Sequence, residues 1–158
     1  MDRPSIARPR FDEPRERPGF ACRRARLGRQ AGARQVGVSL WELPPGEAAY
    51  PYHWHLAEEE VLVVLDGAPS LRAPAGWREL DEGEVIAFPV GEEGAHQVVN
   101  RTGETVRFLA ISNLAVEAVM YPDSGKLGAY GDRPDGTRLR KIFRLQDEVD
   151  YWEGETPP

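Results

Sequence analysis

Between residues 36 and 120, apolar and polar positions alternate in short runs, and no sustained 3.6-residue period appears. Alternation with a period of two marks half-buried strands. Val36, Val38, Leu40 and Trp41 open the first such run, which stops at Pro44-Pro45-Gly46. The pattern predicts strands over 36–43, 49–56, 60–66, 69–73, 77–80, 84–88, 95–100, 104–113 and 115–120. Asp66-Gly67 and Ala75-Gly76 read as hairpin turns. Asp81-Glu82-Gly83 and Arg101-Thr102-Gly103 read as further reversals. So many short strands in one stretch predict an all-β barrel or sandwich.

The flanks read differently. Pro4, Pro9, Pro14 and Pro18 stop a helix from propagating, so residues 1–20 are expected as an extended arm, mobile over residues 1–10. Residues 21–35 have the composition of one loose helical turn. Residues 122–137 are rich in Gly, Pro and Asp and read as a long loop, and 138–145 as a late strand. Tyr151 and Trp152 are large enough that docking on the barrel or on a partner is expected. The organisation expected is a basic N-terminal arm over 1–35, a β-barrel over 36–120 and a C-terminal extension over 121–158.

Composition narrows the class. A chain of 158 residues with 41% apolar residues is long enough for one domain with a real core. Cys22 is the single cysteine, which excludes an internal disulfide and a Cys-rich zinc site; packing is its expected role. No apolar run reaches membrane-spanning length, and the first residues lack the apolar stretch of a secretory signal, so the cytoplasm is the expected location. Net charge is −6, but residues 1–35 hold ten Arg against four acids, and the remainder is strongly acidic. An acidic body suits a phosphate backbone poorly, so nucleic acid is not the expected partner. The basic segment reads as a tail folded against the acidic body of its own or a partner subunit.

The three histidines carry the candidate chemistry. In Pro51-Tyr52-His53-Trp54-His55, a strand turns His53 and His55 to one face and Trp54 to the other. Glu60 opens the next run, sharing its face with Leu62 and Val64. A carboxylate turned inward there needs a partner, and a metal beside two imidazoles would be one. His96 lies in a different strand. Imidazole with carboxylate is ordinary ligation for Fe, Mn, Ni, Cu, Zn or Co.

The sequence resembles the cupins over about residues 36–115. Gly46, His53, His55, Glu60 and Gly67 match the first cupin motif, with one residue more than usual between Gly46 and His53. Gly83, Pro89, Gly91, His96 and Asn100 match the second, with four residues rather than two between Gly91 and His96, which predicts a larger loop ahead of His96. The resemblance implies a jelly-roll β-barrel, the double-stranded β-helix, with one divalent transition metal per chain held by His53, His55, Glu60 and His96. It implies turn positions at the four glycines and either a loop-tying or a plain turn role for Asn100. It also implies a homodimer. Tyr121-Pro122-Asp123 and Tyr151-Trp152-Glu153-Gly154-Glu155 resemble segments of single-domain bacterial cupins.

Four protein ligands leave one or two positions for water, substrate or dioxygen. The function expected is a small metal-dependent enzyme of dioxygenase, isomerase or lyase type acting on a small polar molecule. The alternative is a non-catalytic cupin that binds or senses a small molecule through a partner. Tyr50, Tyr52, Glu92, Glu93, Gln97, Tyr121 and Tyr130 are candidates for the mouth of the site, and none is singled out as a catalytic base.

Overall fold

A computed structural model describes residues 3–133, 135 and 137–156, with Asp132 by its backbone alone. The fold is predominantly β. The strands are β1 (Glu13–Arg15), β2 (Cys22–Ala25), β3 (Gly37–Leu43), β4 (Trp54–His55), β5 (Glu60–Asp66), β6 (Ser70–Ala73), β7 (Gly76–Glu79), β8 (Val85–Phe88), β9 (Gln97–Val99), β10 (Val106–Ser112), β11 (Glu117–Tyr121), β12 (Lys126–Asp132) and β13 (Arg138–Arg144). One α-helical turn, α1 (Leu27–Gln30), follows β2. Three sheets form, in the orders β1-β2-β3-β10-β5-β8, β13-β12-β11-β4 and β7-β6-β9. No helix among the described residues is long and apolar enough to cross a membrane.

The alternation in the sequence sets the burial. Leu62 and Val64 of β5 turn inward with Leu43, Leu71, Leu80, Val98, Val106 and Phe108 to form the main core. Trp41 stacks on Phe108 at 6.0 Å between ring centroids. Cys22 is buried in the same core, and burial pushes its thiol up. The opposite face of β3, β5 and β10 is covered by the chain's own N-terminal segment. Ala25 and Leu27 pack there on Leu40 and Leu109, with Phe11 alongside.

Four segments depart from the sequence reading. The arm is partly sheet: β2 pairs with β3 and β1 pairs with β2, with Pro14 on the outermost strand, where its missing N–H costs no ladder bond. Residues 49–56 are not one continuous strand. Pro51 interrupts the ladder, and the segment changes partners: Ala48 and His53 bridge to Val99 and His96, whereas β4 pairs with β11. Asp66-Gly67 is a reversal but not a hairpin, because β5 lies between β10 and β8, and β6 belongs to another sheet. Ala75-Gly76 does close a hairpin, with Ala73 opposite Gly76. The loop expected over 122–137 contains β12, paired on both sides. Its two glycines weaken the strand signal, and pairing with β11 and β13 overrides it.

The acidic tail does not dock on its own chain. Tyr151 and Trp152 are 81% and 71% exposed and meet each other edge to face.

Candidate metal centre

Three segments bring the histidines together. His53 and His96 face each other in an isolated antiparallel bridge, each backbone N–H donating to the other's carbonyl at 3.2 and 2.9 Å. His55, two residues on, shares the face of His53, and their Nε2 atoms are 3.0 Å apart. Glu60, at the start of β5, points Oε2 to His55 Nε2 at 3.2 Å and to His96 Nε2 at 3.1 Å. One ligand atom from each of the four lies within 4.8 Å of every other. All three histidines are buried; the Glu60 side chain is 19% exposed.

The donor set fits a cation. His53 Nδ1 donates to Pro51 O at 2.9 Å, His96 Nδ1 to Gly94 O at 2.9 Å, and His55 Nδ1 to Glu117 Oε1 at 2.7 Å. Each outer N–H is thus engaged, and each Nε2 turns inward, where a neutral imidazole presents a lone pair. Three such lone pairs and a carboxylate oxygen at one point are the ligation expected of a divalent transition metal. The cluster could therefore coordinate such an ion.

The side chains of the cluster also perturb one another's protonation. Burial, with the neighbouring His96 and His55 charges, pushes His53 down to about 3. Burial works against the His55 imidazolium too, but hydrogen bonds to Glu117 and Glu60 outweigh it and hold His55 up at about 10. Burial opposes the Glu60 charge, yet hydrogen bonds from His55 and His96 hold its carboxyl well below the usual range.

The surroundings are aromatic. Phe88 stacks on His96 at 3.8 Å, and Tyr50 meets His53 and His96 edge-on at 4.9 and 5.5 Å. The ring of Tyr121 lies 6.1 Å from that of His53. Of the mouth candidates, then, Tyr50 and Tyr121 border the cluster. Tyr130 reaches it through the Tyr121 hydroxyl, 2.7 Å away. Gln97 donates to the Tyr50 carbonyl, Tyr52 sits under Arg72, and Glu92 and Glu93 stand exposed.

The sequence matches the Cupin domain family over residues 39–112. That stretch holds all four clustered side chains, and the motif glycines Gly46, Gly67, Gly83 and Gly91 all lie at positive φ. Residues 39–112 are thus similar to a cupin domain. The chain's likeness to solved structures runs beyond those bounds. A provisionally named sugar phosphate isomerase from Acidithiobacillus ferrooxidans shares 28% identity at a TM-score of 0.73, over 84% of this chain and 82% of that one. A cupin-superfamily sugar phosphate isomerase from Silicibacter pomeroyi shares 28% identity at 0.72, over 84% and 82%. A Cupin 2 conserved barrel domain protein from Salinispora arenicola shares 26% identity at 0.55, over 73% and 89%. No functionally curated protein sequence matches the chain.

Within this matched stretch, the longer loop before His96 forms a 3-10 turn over Glu92–Gly94. Gly91 N donates to His55 O at 2.8 Å, and Gly94 supplies the carbonyl that orients His96. Asn100 ties a loop. Its amide donates to Leu43 O and Glu104 O at 2.8 and 2.7 Å, and its oxygen accepts from the Thr102 backbone and hydroxyl.

Sequence reasoning missed Glu117. It lies outside both motifs, yet its nearly buried carboxylate grips His55 and accepts from Glu58 N at 3.2 Å. The available signal was an acid opening the alternating run Glu117–Tyr121, a repeat of the placing of Glu60 at the head of β5.

Proposed function

We propose that this protein is a metal-dependent enzyme in which His53, His55, Glu60 and His96 hold one divalent transition metal. The convergence of three inward histidine rings and the Glu60 carboxylate, with every outer N–H already engaged, carries the reading. A bound ion would act as a Lewis acid on a substrate oxygen. The reaction class favoured is isomerisation of a small polar molecule of the sugar phosphate kind. Two structures so described resemble this chain over most of both lengths.

The chain's own residues then have distinct tasks. Glu117 holds the His55 ring in the tautomer that frees Nε2. Phe88 and Tyr50 wall the cluster and limit water. Burial, then the hydrogen bond with Tyr130, holds the Tyr121 hydroxyl well above its ordinary range, so it donates hydrogen bonds and is not a base. The reading places the site at the mouth of a double-stranded β-helix barrel over 36–120, with 1–35 as an arm and 121–158 as an extension, in a cytoplasmic homodimer.

Elemental analysis of untagged protein tests the metal. The expected content is near one transition-metal ion per chain. A panel of aldose and ketose phosphates, followed by NMR with and without that ion, tests the reaction. Metal without turnover on any member would favour the small-molecule-binding alternative. No metal, even after reconstitution, would remove the centre itself.

A further inference from the structure

The sheet that carries His55 extends the cluster outward. Across β4, β11, β12 and β13, His55 lies opposite Val119, Val119 opposite Gly128, and Gly128 opposite Ile142. Residues two positions away along each strand share that face. They are Glu117, Tyr130 and Arg140 in one row, and Tyr121, Lys126 and Arg144 in the other. One pleated surface therefore runs from a histidine of the cluster to three cations.

Tyr121 joins the two ends. Its ring is beside His53, and Lys126 Nζ lies 5.8 Å from its centroid. Gly128 makes room for the second tyrosine. A Cβ there would come within 2.6 Å of the Tyr130 ring and 2.9 Å of its hydroxyl oxygen. With none, the Tyr130 ring lies along the sheet and its hydroxyl meets that of Tyr121. Two hydroxyls that share one hydrogen bond keep one O–H to donate elsewhere.

The cations here are unspent. Lys126, Arg140 and Arg144 form no ion pair among the described residues, in a chain with net charge −6. The nearby Arg72, by contrast, is neutralised by both carboxylate oxygens of Asp123. An open depression of about 370 Å³ adjoins Lys126 and Arg144, lined also by Ile142, Phe143 and Asp147. Lys126 and Arg144 border that space, while Arg140 and the free hydroxyl donor lie on the same sheet face outside it. Cations and a hydroxyl donor on one face suit an anion that accepts several hydrogen bonds.

We propose that Lys126, Arg140 and the free hydroxyl of the Tyr121–Tyr130 pair seat the anionic group, of phosphate type, of a substrate whose other end reaches the histidine cluster. The role of that other end rests on the metal-enzyme reading; the anion seat rests on these residues alone.

Isothermal titration of the full chain with inorganic phosphate, at fixed ionic strength, tests it, with metal content measured on the same samples. The double variant Lys126→Met/Arg140→Gln is expected to bind phosphate at least about tenfold more weakly, as loss of charge-assisted hydrogen bonds implies. Tyr130→Phe and Gly128→Ala should each weaken binding, the second by displacing the Tyr130 ring. Lys126→Arg should restore most of it, and metal content should stay constant throughout. Undiminished phosphate binding in the double variant, or none in the wild type at millimolar phosphate, overturns the seat. So does phosphate binding that disappears with His96→Ala and survives in the double variant, since the anion would then sit on the metal. If the wild type takes up no metal even after reconstitution yet binds phosphate, and the double variant loses that binding, the seat stands and the metal-enzyme reading falls.

Discussion

Two carboxylates meet at His55 from opposite sides of its ring. Glu60 shares the inward Nε2 and Glu117 takes the outer Nδ1–H. Removing Glu117 frees the ring to rotate and lowers its basicity. Glu117→Ala is expected to weaken metal affinity about 10–100-fold in chelator competition, with Glu117→Gln, which keeps an acceptor, much closer to the wild type. His96→Ala removes a ligand outright, and metal content should fall well below one per chain; unchanged content would show the assignment wrong. Asn100→Leu strands the Leu43 and Glu104 carbonyls that its amide satisfies, and should cost at least about 2 kcal/mol in urea unfolding. At this scale the sequence was informative wherever partners are near in the chain or carried by a motif. The shared face of His53 and His55 follows from their spacing. Glu117 lies 62 residues from His55, and only the pairing of β4 with β11 brings the two together.

At the scale of elements, period-two alternation located most of the strands, because burial on one face of a sheet is a local pattern. It failed where pairing decides. β12 carries glycines at positions 128 and 131, and strands on both sides hold it extended. Gly67 shows the reverse case, a turn residue legible in the sequence whose second constraint is not. Its φ is +80°, and a Cβ would meet Val106 Cγ1 at 2.8 Å. Gly67→Ala should therefore destabilise by more than the roughly 1 kcal/mol on which point substitutions centre, read from the denaturation midpoint. The N-terminal arm divides by its hydrogen bonds. Within residues 3–10 the amide of Arg8 bonds only to Ser5 Oγ, whereas Asp12 N donates to Arg24 O where the sheet begins. Amide exchange in residues 3–10 is expected to be fast, and strong protection there would contradict the expectation of a mobile start.

For the whole molecule, the charge partition seen in the sequence becomes a set of contacts. Arg23 and Arg107 both pair with Glu42, and Arg15 donates to the Phe20 and Ala49 carbonyls. The basic arm thus folds onto its own chain. Among the described residues, the C-terminal end has no such cover. Ile142, Phe143, Leu145, Val149, Tyr151 and Trp152 are all exposed, and β13 is a sheet edge. Exposed edges with apolar side chains invite pairing. Light scattering is expected to give twice the 17.7 kDa chain mass, and replacing Tyr151 and Trp152 by Ser should shift the population toward monomer. Neither the sheet order nor this bare edge could be read from the sequence, because both depend on which distant strands meet.

The bridge between His53 and His96 also bears on timescale. His96 is distant in sequence from His53, His55 and Glu60, and meets them only when the strands around it have paired. The partly folded chain offers an ion only the local trio of His53, His55 and Glu60, without His96. The ion's effect would fall mainly on the lifetime of the native state: slower unfolding in stopped-flow, with the refolding rate little changed.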